Sequence, residues 1–153
     1  MVLSCLIIAA FTTGAYHVFK SEWVNFRKAE WFYEKKEYSR SVPLYRSVLQ
    51  SGIEKPIVLS HLADALYITG NLAEALPLYA GLARKNPSNT NTVSTLGDIY
   101  LRLGRPDEAI QTYQTILKTN PQNRTAHIKL ARALTQSKRF DEAINEYKKI
   151  LGD

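Results

Sequence analysis

Apolar residues recur along this chain with a period of about 34 residues, from Glu22 to the C-terminal end. The period is carried by one column of alanine, one of tyrosine and one of leucine. Their members are Ala75, Ala109 and Ala143; Tyr79, Tyr113 and Tyr147; and Leu62, Leu96 and Leu130. A period of roughly 20–50 residues is typical of repeat proteins, in which each unit packs on its neighbours. The pattern therefore predicts four units, at residues 22–55, 56–89, 90–123 and 124–153.

Each unit is predicted to contain two helices joined by a short turn. In the third unit, apolar residues follow helical spacing over Thr90–Leu103 and again over Asp107–Thr119. Gly104 and Pro106 separate the two stretches, as expected where one helix ends and the next begins. Because the other units repeat this arrangement, residues 22–153 are predicted to be all-α and to consist of four helix–turn–helix repeats.

A few positions depart from the repeating pattern. Lys28 stands in the leucine column, so we expect that face of the first unit to meet solvent or lipid headgroups. Pro43 and Pro77 lie early in the second helices of their units, where proline removes a helical hydrogen bond and is expected to cause a bend. The tyrosine column, including Tyr147, is expected to fill the space between neighbouring units.

Several residues of the third unit stand in a recognisable order, namely Leu96, Gly97, Tyr100, Ala109, Tyr113 and Pro121. This order resembles the motif of the tetratricopeptide repeat family. The second and fourth units match it well, and the first unit matches it weakly. The resemblance implies an α-solenoid with a right-handed superhelical twist and a non-enzymatic role in binding other proteins. In this family the first helix of each unit lines a concave surface.

Alignment of the units under this resemblance places a set of polar residues on the concave surface, where they are expected to bind a partner. They are Ser60, His61, Asp64, Tyr67, Asn91, Ser94, Thr95, Asp98, Arg102, Lys129 and Arg132. Asp64 and Asp98 would make the middle of this groove acidic, whereas Lys129 and Arg132 would make one end basic. Such a groove would take an extended segment or a helix of complementary charge. The alternative is an ordinary solvated face.

The segment from Val2 to Phe19 carries no formally charged side chain and is followed by Lys20. Its length is near the lower limit for a membrane-spanning helix, roughly 17 residues. Three interpretations are open for residues 1–21: a single-span membrane anchor, which we favour, a cleaved signal peptide, or an apolar helix that caps the repeats. In the anchor interpretation, the membrane contacts are Leu6, Ile7, Ile8, Phe11, Tyr16, Phe19 and Trp23.

The chain carries 20 lysines and arginines against 14 aspartates and glutamates, which gives a net charge of +6. Basic residues follow the apolar segment, beginning with Lys20, and the positive-inside rule then places the repeats in the cytoplasm. A periplasmic or lumenal location is the alternative. No basic block is interleaved with stacking aromatic residues, which argues against binding of nucleic acids.

The sequence contains no pattern typical of a catalytic or metal site. His17, His61 and His127 are far apart in the chain, and the single cysteine, Cys5, excludes an internal disulfide. We therefore expect no enzymatic activity, no metal, no cofactor and no small-molecule substrate.

The predicted function is that of a membrane-tethered scaffold that organises or assembles a protein complex through its concave groove or its N-terminal helix. The alternative is a soluble secretion or assembly chaperone that shields an apolar segment of its partner. Because the sequence ends at Asp153 directly after the fourth unit, this last repeat is also expected to dock on a partner or on a second copy.

Overall fold

The computed structural model describes residues 21–53 and 55–151, and all regular secondary structure within these ranges is helical. Helix α1 is described from residue 21 to residue 34. It is followed by α2 (Tyr38–Gln50), α3 (Pro56–Ile68), α4 (Leu72–Lys85), α5 (Thr90–Arg102), α6 (Pro106–Thr119), α7 (Arg124–Gln136) and α8 (Phe140–Leu151). The predicted membrane residues from Leu6 to Phe19 lie outside the described ranges. Within those ranges, no helix combines the length and the apolar character needed to cross a membrane.

The helices repeat with the period expected from the sequence. Pro56, Thr90 and Arg124 begin α3, α5 and α7 and stand one full period apart. The same step separates the first residues of α2, α4, α6 and α8. Helix α5 ends at Arg102, one residue earlier than predicted. The predicted all-α fold of helix–turn–helix repeats is therefore confirmed.

The turn inside each repeat contains one residue with a left-handed backbone, at the same position of the repeat. These residues are Lys36, Gly70, Gly104 and Lys138, with φ of 60°, 82°, 73° and 61°. In three of the turns, the N–H group of the next residue donates to the carbonyl oxygen five residues back, at 2.8–2.9 Å. This hydrogen bond is typical of a helix that ends at a left-handed residue. Glycine adopts that backbone readily, whereas lysine does so at an energetic cost.

Residues 1–69 form one compact unit, whose described part comprises α1, α2 and α3. Helix α2 packs against α3. The core of this unit contains Ala29 from α1, Tyr45 and Val48 from α2, and Val58 from α3, all of which are fully buried. Lys28 on α1 is exposed, as expected from the replacement of leucine by lysine in that column.

Residues 70–153 form the second compact unit, whose described part comprises α4 to α8, each packed on the next helix along the chain. Gly97 in α5 allows α6 to approach closely, because a Cβ atom there would lie 2.6 Å from Cζ of Tyr113. Tyr113 is fully buried, whereas Tyr147 in α8 is 40% exposed. The expectation that Tyr147 fills a space between units was therefore wrong, because none of the described helices covers it.

Asparagine side chains cap two of the helices, and two other helices contain an internal proline. Asn89 and Asn123 stand one period apart and cap α5 and α7, where each side chain accepts a hydrogen bond from a backbone N–H three residues on. Pro43 and Pro77 each occupy the sixth position of their helices, α2 and α4. Both helices continue through the proline, and the expected bend stays a prediction.

Candidate functional site

The predicted groove residues of α3 belong to a polar cluster shared by α1, α2 and α3, here called the α1–α3 cluster. The Tyr45 hydroxyl donates to Glu30 Oε1 at 2.6 Å, and His61 Nδ1 lies 2.9 Å from the same carboxylate oxygen. Tyr33 donates to Asp64 Oδ2 at 2.9 Å and stacks on the His61 ring with 4.0 Å between centroids. The predicted residues His61 and Asp64 therefore engage side chains of the preceding repeat.

Both tyrosines of the α1–α3 cluster hold their protons firmly. Burial raises the pKa of Tyr45, and its hydrogen bond to Glu30 raises that pKa further. Burial and the hydrogen bond to Asp64 raise the pKa of Tyr33 in the same way. A phenol with a raised pKa stays protonated, so these groups keep donating the hydrogen bonds that connect helices and do not supply a reactive anion. Ser60 and Tyr67, also predicted on α3, are half-buried.

In the second unit, the predicted residues of two successive repeats come into direct contact. Lys129 on α7 donates to Asp98 Oδ2 at 2.6 Å and to Ser94 Oγ at 2.7 Å, both of which lie on α5. Asp98 also accepts a hydrogen bond of 2.7 Å from the buried Tyr113 hydroxyl on α6. We call Ser94, Asp98, Tyr113 and Lys129 the α5–α7 cluster.

The α5–α7 cluster changes the predicted electrostatics of the groove. Because Asp98 and Lys129 form an ion pair, their charges offset each other and do not stand as separate acidic and basic regions. Asn91, Arg102 and Arg132 remain exposed around the pair. Thr95 turns back on its own helix and donates to the Asn91 carbonyl at 3.0 Å. The second unit therefore presents a polar patch with a neutral ion pair at its centre and exposed hydrogen-bonding groups, including two arginines, at its margin.

A small cleft lies beside this patch, between the first turns of α5 and α7. Its volume is about 160 Å³, and its lining is mostly polar. The lining residues are Thr90, Asn91, Ser94, Ile116, Asn123, Thr125 and Ala126. Two of them, Asn91 and Ser94, were predicted as groove residues from the sequence. The predicted residues of α5 and α7 thus share one continuous face of the second unit.

A further cluster joins α7 to α8 and was not predicted as a site. His127 Nδ1 lies 2.6 Å from Glu146 Oε2, and His127 Nε2 lies 2.9 Å from the Pro121 carbonyl oxygen. Lys149 donates to the other carboxylate oxygen of Glu146 at 2.6 Å. Burial raises the pKa of Glu146, but the hydrogen bonds from Lys149 and His127 outweigh it, so that the pKa lies below its ordinary value. The cluster borders a cleft of about 660 Å³ with Leu117 and Leu130 in its wall.

Two of the residues that sequence reasoning missed, Glu30 and Tyr33, carry a positional signal, whereas Glu146, which is 19 positions from His127, does not. Three contacts join residues 31 positions apart, which is one repeat minus one helical turn; they are Glu30–His61, Tyr33–Asp64 and Asp98–Lys129. Two further contacts join a tyrosine to a carboxylate 15 positions earlier, and they are Tyr45–Glu30 and Tyr113–Asp98. Polar pairs at these separations in the sequence are therefore the signal that marks both clusters.

The chemistry of these clusters is that of hydrogen bonding and charge pairing. Among residues 21–53 and 55–151, no group of three or more His, Cys, Asp and Glu side chains is placed to hold a metal ion. The His61 ring is engaged by Glu30 and Tyr45, and the Asp64 carboxylate by Tyr33. These arrangements fix helices relative to one another and leave polar groups at the surface for a partner.

Known structures and family models support this description. Residues 26–90 and 94–153 match the family model described as "Tetratricopeptide repeat". The chain is similar to MamA AMB-1, with a TM-score of 0.76 and 26% identity over 84% of this chain and 70% of that one. For MamA MSR-1 the TM-score is 0.67, with 26% identity over 86% of this chain and 75% of that one.

A more distant structure shares the fold alone. YrrB, described as "a TPR protein with an unusual peptide-binding site", has a TM-score of 0.75 at 16% identity, over 84% of this chain and 66% of its own. No curated protein sequence matches this chain. The family model, however, covers most of the chain and both halves of the repeat array. The chain therefore belongs to the tetratricopeptide repeat family.

Proposed function

We propose that this protein is a non-enzymatic scaffold that holds a partner protein against the polar face shared by α5 and α7. The observation that carries the proposal is the bridge from Lys129 to Ser94 and Asp98, which joins the predicted residues of two repeats into one surface. The pair is preorganised, so a partner meets groups whose geometry is already fixed. Proteins of this family generally serve to bind other proteins through surfaces formed by stacked repeats.

The partner that fits this face best is an extended, polar segment of another protein. Asp98 and Lys129 offset each other at the centre of the face, and its exposed members Asn91, Arg102 and Arg132 offer donors and acceptors to a peptide backbone. The cleft of about 160 Å³ would accommodate one small side chain of the segment. The peptide-binding site that gives YrrB its description supports a partner of this class.

Site-specific photo-crosslinking tests the binding face. A photoreactive amino acid at position 132 or 91 should form a crosslink to one partner, which mass spectrometry then identifies. The same probe at position 84, which is exposed on α4, should not. With the partner known, Arg132→Glu should weaken its capture about tenfold, and Arg84→Glu should leave capture unchanged. Equal crosslinking at positions 84 and 132 would contradict the proposed binding face.

The variants avoid Asp98 and Lys129 because both side chains hold α5 to α7. A loss of capture on changing either of them would not separate binding from folding. Arg132 and Asn91 are exposed, so their replacement should leave the helix content unchanged. Circular dichroism of each variant checks that condition.

We also propose that the apolar segment from Val2 to Phe19 tethers the repeats to a membrane, with the repeats on the cytoplasmic side. Trp23 follows this segment and is 40% exposed, with the Lys55 ammonium 4.0 Å from its ring centroid. Tryptophan beside a basic residue is typical of the region where a chain leaves the hydrocarbon core. The alternative, a soluble chaperone for an apolar segment, does not require an exposed tryptophan beside a lysine at this position.

Extraction of membranes with alkaline carbonate separates the two alternatives. The tethered protein should stay in the pellet, and a variant without residues 2–19 should move to the supernatant. The chaperone alternative predicts that both forms are in the supernatant. Protease added outside sealed vesicles of known orientation then reports which side of the membrane carries the repeats.

A further inference from the structure

Helix α8 exposes an apolar stripe that none of the described helices covers. Phe140, Ile144, Tyr147 and Leu151 are 57%, 52%, 40% and 73% exposed. Their spacing of four, three and four residues places all of them on one face of the helix, as in the seam of a coiled coil. Beside the stripe, on the flank formed by Ala143 and Ile150, Ala143 is buried against the rest of the unit. Helix α8 therefore has two apolar faces, and only one of them is packed.

In the preceding repeat, the side chains equivalent to the two central residues of the stripe are buried. Ile110 and Tyr113 occupy the positions one period before Ile144 and Tyr147, and they are 3% and 0% exposed. In that repeat, α7 packs over α6 and covers these side chains. The stripe of α8 thus repeats a surface that elsewhere in the chain is buried beneath another helix.

We propose that the stripe is a homodimer interface, in which α8 packs antiparallel against α8 of a second copy about a two-fold axis. The stripe is symmetric about its centre, so that Phe140 meets the partner's Leu151 and Ile144 meets the partner's Tyr147. An interface with a two-fold axis requires this kind of self-complementarity.

Charge supports the antiparallel direction. Asp141 and Lys148 each follow a stripe residue by one position, and they flank the stripe on the same side. In an antiparallel pair these flanking positions face each other, so Asp141 lies beside the partner's Lys148 and the contact occurs twice. In a parallel pair each would face the opposite flank, which is formed by Ala143 and Ile150.

Both charged groups are available for such contacts. Within residues 21–53 and 55–151, neither Asp141 nor Lys148 forms a hydrogen bond or an ion pair. Their neighbours differ, because Glu142 pairs with Arg139 and Lys149 pairs with Glu146. The two groups without an internal partner are thus those that the antiparallel arrangement would pair.

This interface goes beyond the function proposed above, because its residues lie outside the α5–α7 face and outside the apolar N-terminal segment. One pair of helices of this length buries less than the roughly 1,600 Å² of a standard interface. Association should therefore be weak, with a dissociation constant on the order of 10–100 μM. The dimer would present two binding faces, which strengthens the capture of a partner with two matching segments.

The first test compares two isoleucines of similar exposure. In a mild detergent, the full-length chain should change from monomer to dimer as its concentration rises, with masses from light scattering corrected for bound detergent. Ile144→Glu should weaken dimerisation about tenfold or more. Ile128→Glu, at a position that is 39% exposed on α7, should leave it unchanged. A mass that stays monomeric at about 200 μM, which is above the expected dissociation constant of about 10–100 μM, overturns the proposal.

The second test is a charge exchange that also fixes the geometry. Asp141→Lys and Lys148→Asp each replace two attractive contacts by two repulsive ones, so each variant alone should dimerise about fivefold to tenfold more weakly. In an equimolar mixture of the two variants, every facing pair is again of opposite charge, and association should return to the native level. If the mixture remains as weak as its components, the antiparallel two-fold interface is excluded, and any dimer forms through another surface. Circular dichroism confirms that each variant is folded.

Discussion

Helices α5 and α6 approach each other at Gly97, where the backbone of α5 faces the ring of Tyr113. The ring is fully buried, and its hydroxyl is fixed by a hydrogen bond of 2.7 Å to Asp98. The tyrosine therefore cannot swing aside to make room for a larger residue without losing that bond. One glycine thus sets the distance between two helices and the position of the α5–α7 cluster.

Replacement of Gly97 by alanine should lower the free energy of unfolding by about 1–3 kcal/mol, because the added methyl group overlaps the Tyr113 ring. Gly81→Ala is the matched control, because no atom lies within 4 Å of a Cβ placed there and its helix should gain about 0.5–1 kcal/mol. Urea denaturation of both variants measures the difference. Equal stability of the two variants would show that the α5–α6 contact relaxes freely.

The sequence predicts the close contact at Gly97 but not the hydrogen bonds that surround it. The repeating columns place a small residue opposite a large tyrosine, which is enough to predict packing. The columns do not predict the hydrogen-bond partner of a polar side chain, because that partner depends on which helix of the neighbouring repeat the side chain faces. Asp98 was predicted to make the middle of the groove acidic, yet it pairs with Lys129 from the next repeat.

At the scale of the elements, the turns inside the four repeats differ in the strain of their backbone. All four turns use a left-handed residue, but two have glycine and two have lysine at that position. A residue with a Cβ atom loses roughly 1–2 kcal/mol in this backbone. Lys36 and Lys138 therefore strain the first and the last repeat, while Gly70 and Gly104 leave the turns that they occupy unstrained.

Lys138→Gly should raise the free energy of unfolding by about 0.5–1 kcal/mol, because it relieves the left-handed strain at the end of α7. The same change at Lys118, inside α6, should lower stability by about 1 kcal/mol. Urea denaturation measures both effects. A loss of stability in Lys138→Gly would mean that the lysine side chain contributes more than its backbone costs.

The helices themselves were predictable nearly to the residue, because each break contains residues that end or start helices. Gly104 and Pro106 bracket the turn between α5 and α6, and the observed ends differ from the prediction by one residue. The exposed stripe of α8 was less accessible to prediction. The sequence of α8 resembles that of α6 closely, so its columns predicted burial at Tyr147, which the structure leaves 40% exposed.

At the scale of the whole molecule, the chain divides into two compact units, residues 1–69 and 70–153. Each unit has its own buried residues, such as Tyr45 and Val48 in the first and Tyr113 and Ile116 in the second. In repeat proteins, stability is approximately a sum of the terms for each repeat and for its contacts with neighbours. A local lesion should therefore loosen its own surroundings more than distant repeats.

Hydrogen exchange of two variants tests this locality. Gly97→Ala should accelerate amide exchange in α5, α6 and α7 by about tenfold, with a smaller effect in α2, because exchange reports the free energy of local opening. Val48→Ala, which leaves a cavity at a fully buried position, should do the reverse and affect α2 and α3 most. Mass spectrometry of peptides from α2 and α6 measures both patterns in the same experiment. If each variant accelerates exchange equally from residue 21 to residue 151, the array unfolds as one cooperative body, and the binding face on α5 and α7 cannot open without the rest of the molecule.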